Sequence, residues 1–216
     1  DSIYFWKTGK TIFKISVKPT DLDSITFKGP EVLPSTVTDI DGNVIQTVII
    51  CNQTWTKTNL NVTKYRNGDV IPQVTDPAEW DNLTTGAWCY YSNDSYLGKT
   101  YGKLYNWYAL NDPRGLAPEG FHIPSNSEWT QLIDFCGGLE IAGVKLKSSV
   151  GWNKFQQGSG NGTNSSGFNA LPGGSQFNTG TNGNYGTASF WTSTPDANNA
   201  ANAQWTFFHI TFLVNG

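Results

Sequence analysis

From Phe155 to Gly216 the chain contains no Lys, no Arg and a single acid, Asp196. Gly, Asn, Thr and Ser fill the stretch instead. These residues lose more entropy in a helix or bond to the backbone in other conformations, so they favour turns and extended chain. Everything after Gly151 therefore reads as loops and short strands, and any helix must lie earlier. The same bias runs through the whole protein. Charged residues make up 14% of the 216-residue chain, against the roughly 25% of an ordinary soluble domain. Aromatic residues equal them at 14%, nine of them Trp. A surface kept wet by amides and hydroxyls is common among secreted proteins. The net charge of -3 offers no electrostatic footprint for nucleic acid. No run approaches the roughly 20 apolar residues that span a bilayer. Asp1 cannot start translation, so a processed or trimmed product is expected.

An α+β chain is predicted, with a small β-hairpin-like N-terminal segment over residues 1–30, a linker over 31–36 and one main domain over 37–216. Ser2–Trp6 and Thr11–Val17 read as strands around the turn Lys7-Thr8-Gly9-Lys10, and Leu22–Phe27 as a third. Asp41-Gly42 between the apolar runs of 37–50 is a strong hairpin signal, since Gly supplies a positive φ. The same Asp39-Ile40-Asp41-Gly42 lacks the bidentate Glu that closes a calcium loop, which favours the turn. Two main helices are expected. Lys103–Leu110 carries an apolar stripe at Leu104, Trp107 and Tyr108. The clearer one starts at Ser125, where Ser125 and Glu128 have capping-box spacing, and Gly137-Gly138 stops it. Its buried face would be Trp129, Leu132, Ile133 and Cys136. A shorter piece spans Leu139–Leu146.

Catalytic constellations are scarce, and no enzyme is expected. His122 reads as structural and hydrogen-bonded, and His209 as an outward strand residue. Glu119, Glu128 and Glu140 have cap, turn and surface explanations. The glycine run of 158–162 reads as a flexible turn, because neither a Lys nor a helix follows it as in a phosphate loop. Cys51, Cys89 and Cys136 cannot all pair within one molecule, leaving one bridge plus a thiol, or three thiols. No metal ligand set and no cofactor are expected, with a structural calcium left open. Binding chemistry is richer. Trp and Tyr faces stack on sugars or peptide side chains, and amides donate and accept. The candidate contacts are Asn198, Asn199, Asn202, Gln204 and Trp205, on an amide-rich loop bracketed by Trp191 (expected in the core) and Trp205, together with Tyr185 ahead of that loop.

The blocks Tyr101–Ala109, Leu116–Pro124 and Ser127-Glu128-Trp129 resemble the Fibrobacter succinogenes major paralogous domain. The resemblance continues at Val37–Trp55, Asn59-Leu60, Lys145–Ser148, Gly167–Gly174 and Phe190–Thr194, covering about 37 to 205. It implies a secreted or surface protein of Fibrobacter or Bacteroidota-type bacteria. The Gly120–Pro124 block with Glu128-Trp129 is similar to formylglycine-generating enzymes, which implies a C-type-lectin-like fold with loops used for ligand contact. The paired catalytic cysteines of those enzymes have no counterpart here, nor do the sugar motifs of calcium-dependent lectins. The family's closing Gly-x-Ser-Val-Arg-Cys strand is not seen before Gly216, and it would hold the partner implied for Cys89. Trp205–Val214 reads as a long apolar strand edge, to which the resemblance assigns a place beside the domain's first strand.

The expected function is a surface-displayed binding module or adhesin that contacts a glycan or protein ligand through loops after residue 151. The alternative is a structural subunit of a surface filament or appendage, with copies of itself as neighbours. A weaker one is a hypervariable lectin-like receptor.

Overall fold

Two strands, β1 (Ser2–Lys7) and β2 (Lys10–Ser16), open the chain as an antiparallel hairpin. Its register sets Ile3 opposite Ile15 and Phe5 opposite Phe13, with an irregularity between Phe5 and Trp6. The computed structural model divides the chain at this end into two units, Asp1–Leu33 and Pro34–Gly216. It describes residues 2–7, 10–16, 35–153, 160–175, 187–196, 199–203 and 214–215. The strand expected at Leu22–Phe27 lies outside them.

The second unit begins with β3 (Thr36–Thr38) and β4 (Val44–Ile50), antiparallel around the expected turn. Gly42 takes φ 87°. The Asp39 carboxylate accepts the N–H groups of Asp41 and Asn43 and the Asn43 side-chain amide. That carboxylate fastens the turn from inside. Cys51, at φ 59°, leads to β5 (Gln53–Thr56), whose four residues are all buried. Val214 of β10 (Val214–Asn215) pairs with Trp55, so the sheet order is β10-β5-β4-β3. The terminal strand therefore lies beside β5 and not beside β3, the domain's first strand. The run over 204–213 lies outside the described residues.

Five helices are described, three more than the two main ones expected. One of these is the shorter piece foreseen at Leu139–Leu146. The others, α1 (Pro77–Asp81) and α2 (Ser95–Tyr101), start at Asp76 and Asp94, whose side chains accept from Glu79 and Tyr96 N–H. Both are too short to show a period. The helix expected over Lys103–Leu110 is corrected. Leu104–Tyr105 form β7, paired with β6 (Trp88–Cys89), and only Trp107–Leu110 is helical, as α3. Asn106 marks the break: its side-chain oxygen accepts the Ala109 N–H, and a capping residue cannot lie inside its own helix. Tyr108 is exposed and does not join a buried stripe.

Helix α4 (Asn126–Phe135) carries the full capping box, and α5 (Leu139–Leu146) follows after Gly137-Gly138. Trp129, Leu132 and Cys136 are buried and Ile133 is half-buried. Two main apolar clusters result. One gathers Leu60, Val62, Tyr65, Trp88, Tyr105, Trp107 and Phe121, and the other gathers Trp55, Trp129, Leu132, Phe168 and Phe190. Trp55 and Trp129 rings lie 5.1 Å apart, joining the sheet to α4. Short helices and small antiparallel sheets make the unit α+β. Finally β8 (Pro195–Asp196) and β9 (Asn199–Ala203) pair antiparallel where an amide-rich loop was expected. Backbone pairing outweighs the weak strand propensity of Asn and Ala.

Of the glycine run, residues 160–162 are described, and there the backbone is closely approached by other segments. A Cβ on Gly160 would lie 1.6 Å from the Asn153 carbonyl oxygen, and one on Gly162 2.3 Å from that of Lys147. These glycines permit close backbone approach.

Candidate functional site

Of the contact residues expected from sequence, Tyr185, Asn198, Gln204 and Trp205 lie outside the described residues. Asn199 and Asn202 belong to the backbone of β9. Trp191 is half-buried against the first core cluster. His122 bonds Glu128 through Nε2 at 2.7 Å, so it is hydrogen-bonded as expected. The three cysteines are free, Cys51 exposed and the other two buried. Among the described residues no group of three or more His, Cys, Asp or Glu side chains could hold a metal ion, and no helix is long and apolar enough to cross a membrane.

The described residues form a groove that no single segment of sequence announces. Asn106 builds it. Its side-chain oxygen accepts Ala87 N–H at 3.0 Å, and its amide donates to the Thr85 carbonyl at 2.8 Å. The loop of Thr84, Thr85 and Gly86 is thereby fastened along the start of α3. On the far side, Arg114 closes a fork on Asp112, with both nitrogen–oxygen distances 2.8 Å, and a third arm reaches Asp69 at 3.0 Å. Its guanidinium lies 4.0 Å from the centre of the Tyr65 ring. The Arg114 bonds hold the Asp112 carboxyl below the usual carboxylate range, and Asn67 with Arg114 does the same for Asp69. Burial, then the Asp112 charge, pushes the Tyr65 hydroxyl up.

The result is an open concavity of about 400 Å³ between Thr84–Gly86 and Trp107–Arg114. Tyr108 is 37% exposed and supplies an aromatic face. Asn111, Thr84 and Thr85 are exposed and add an amide and two hydroxyls, beside the fixed Asp112–Arg114 pair. Such a set can stack on one face of a sugar ring while bonding its hydroxyls, or hold a polar peptide. The only signal available in sequence was the aromatic and amide content of 106–112.

A second feature is Lys103, which is 4% exposed. Its ammonium donates to the Asn61 carbonyl and side-chain oxygens at 2.8 and 2.6 Å and sits 4.6 Å from the Trp88 ring centre. Burial pushes its pKa down, while Asp41 and Asp39 oppose the change. A fully engaged cation of this kind holds the Asn61 segment against β6 and β7, and it has no open face for a ligand.

These features define an α+β domain of short helices and small antiparallel sheets with a polar-aromatic surface groove. The chain belongs to the Fibrobacter succinogenes major domain family, matched over residues 48–213. No curated protein and no solved structure gives a significant match.

Proposed function

We propose that the Pro34–Gly216 unit is a non-enzymatic binding module or adhesin, displayed outside the cell, that takes glycan in the groove between Thr84–Gly86 and Trp107–Arg114. One observation carries the reading: an exposed Tyr108 face shares an open concavity with an amide, two hydroxyls and a rigid carboxylate–guanidinium pair. Sugars present just such alternating C–H faces and hydroxyl edges. This reading sets the contact surface earlier in the chain than the loops after residue 151. The low charge and amide-rich composition support an extracellular setting. A C-type-lectin-like fold belongs to the same proposal, supported by the adjacent helices α4 and α5. The capping and His122 bonds of Glu128 support a structural use of its carboxylate over a catalytic one.

A glycan array tests the groove. Wild type should retain a subset of glycans, and Tyr108→Ala with Asn111→Ala should lose them at unchanged melting temperature. Failure of wild type to retain any glycan, or equal retention by the double variant, overturns it.

A second reading, a structural subunit of a surface filament, is favoured by exposed Phe135, Leu139, Ile141 and Val144 on α4 and α5. Exposed apolar residues grouped in this way mark contact surfaces. Sedimentation over a concentration series would show assembly, and a monomer at all concentrations rejects it.

A further inference from the structure

Between α4, α5 and the segment 168–170 lies a cavity of about 270 Å³ whose walls are almost wholly apolar. Trp129, Phe168 and Phe190 form its floor, with Trp129 ring centres 6.0 and 5.6 Å from those of Phe168 and Phe190. Trp152 stands at one side, held by bonds from its indole nitrogen to Ser148 Oγ at 3.0 Å and the Ala170 carbonyl at 3.1 Å. Lys147 is the single charged residue in the lining among the described residues.

The ammonium of Lys147 lies 5.1 Å from the Trp152 ring centre and donates to the Gly160 carbonyl. Among the described residues its other two donors have no partner and no carboxylate lies within ion-pair distance. Burial alone pushes its pKa down, with no acid opposing the change as Asp41 does for Lys103. Lys147 is half-buried, so its remaining donors are open to water or to an incoming anion rather than sealed inside the protein. An aromatic or aliphatic body would fill the floor, and an anionic head would meet the free donors. Pockets for small molecules share this build, with apolar walls and few placed polar groups.

We propose that this cavity is a binding site for a small apolar monocarboxylate, its body on Trp129, Phe168 and Phe190 and its carboxylate paired with Lys147. The site is separate from the Tyr108 groove, and its ligand class does not depend on whether that groove takes glycan. Gly143 lines the cavity, and a Cβ built there meets nothing within 4 Å. A larger side chain at this helical position projects into open space, so it can plug the cavity without harming α5.

Calorimetric titration of the full chain with 3-phenylpropionate, and with 3-phenylpropanol as the uncharged match, tests the assignment. Wild type should bind the acid at least tenfold more tightly than the alcohol. Lys147→Met should abolish that preference while keeping the alcohol's affinity, and Gly143→Leu should abolish binding of both at an equal or higher melting temperature. The proposal is overturned if wild type fails to bind the acid at millimolar concentration, as it would were the cavity covered by another part of the chain or a second copy. Equal binding of acid and alcohol by wild type, or unchanged binding by Gly143→Leu, overturns it too.

Discussion

The Trp129 indole donates to the backbone carbonyl of Trp191 at 3.1 Å, and the Trp191 indole in turn donates to the carbonyl of Tyr105 at 2.9 Å. Trp129 belongs to one core cluster and Tyr105 to the other, so Trp191 rivets the two. Trp191→Phe keeps most of the apolar contact but leaves the buried Tyr105 carbonyl without this donor. The expected loss is about 1–3 kcal/mol. Urea unfolding reads it, and a midpoint equal to wild type would show that the rivet carries no stability.

The capping box of α4 sets a second expectation. Ser125→Ala removes the hydroxyl that accepts Glu128 N–H, costing about 0.5–2 kcal/mol. Thermal unfolding within error of wild type rejects the assignment.

Glu128 gives that box a pH dependence. Burial pushes its pKa up, but the Ser125 N–H, the Ser125 hydroxyl and His122 outweigh burial, and the net value falls below the ordinary 4.5. A depressed folded pKa means stability fully present above 4.5 and lost as pH falls through the lower folded value. The melting-temperature gap between wild type and Glu128→Ala should therefore be constant near neutrality and narrow below pH 4.5. A gap that stays constant into strong acid contradicts it.

Gly86 has no room for a side chain. A Cβ there would lie 1.9 Å from the Tyr65 hydroxyl oxygen and 3.0 Å from the Ala109 Cα. Gly86→Ala should destabilise by about 1–3 kcal/mol through overpacking. It should also disturb the glycan groove, whose wall this loop forms. Stability and binding both at wild-type level would show that the loop has slack to give.

The thiols should react in a fixed order. Cys51 is exposed, whereas burial pushes the Cys89 thiol up to about 12 and that of Cys136 in the same direction. Only thiolate attacks alkylating reagents, so iodoacetamide at pH 8 should modify Cys51 alone in the folded chain. Mass spectrometry identifies the site. Rapid labelling of Cys89 would mean that it is not enclosed.

Local signals make parts of this fold legible in the sequence itself. Ser125 with Glu128 and Asp41 with Gly42 are decided within a few residues, so their caps and turns follow from side-chain chemistry close at hand. Leu104 illustrates the limit. Its spacing to Trp107 and Tyr108 mimics a helical stripe, yet pairing with Cys89 draws it into a strand. Asp76 and Asp94 are readable as caps, but helices of one or two turns have too little periodicity to support the reading. The groove is invisible in sequence because Asn106 brings Thr85 and Ala87 to α3 by tertiary bonds. The apolar cavity is equally hidden, since its lysine reads as one more polar residue after a helix. Tyr185, Asn198, Gln204 and Trp205, singled out by their chemistry, lie outside the described residues and stay expectations.

The pairing of Val214 with Trp55 joins residues from opposite ends of the second unit. A ribosome delivers Trp55 long before Val214, and the buried strand β5 waits with one edge open during that interval. Long-range pairing of this kind slows folding, because a large loop must close before the contact rewards it. The domain therefore passes most of its synthesis as an unfinished chain, and this sheet gains its last strand only when Val214 has been made.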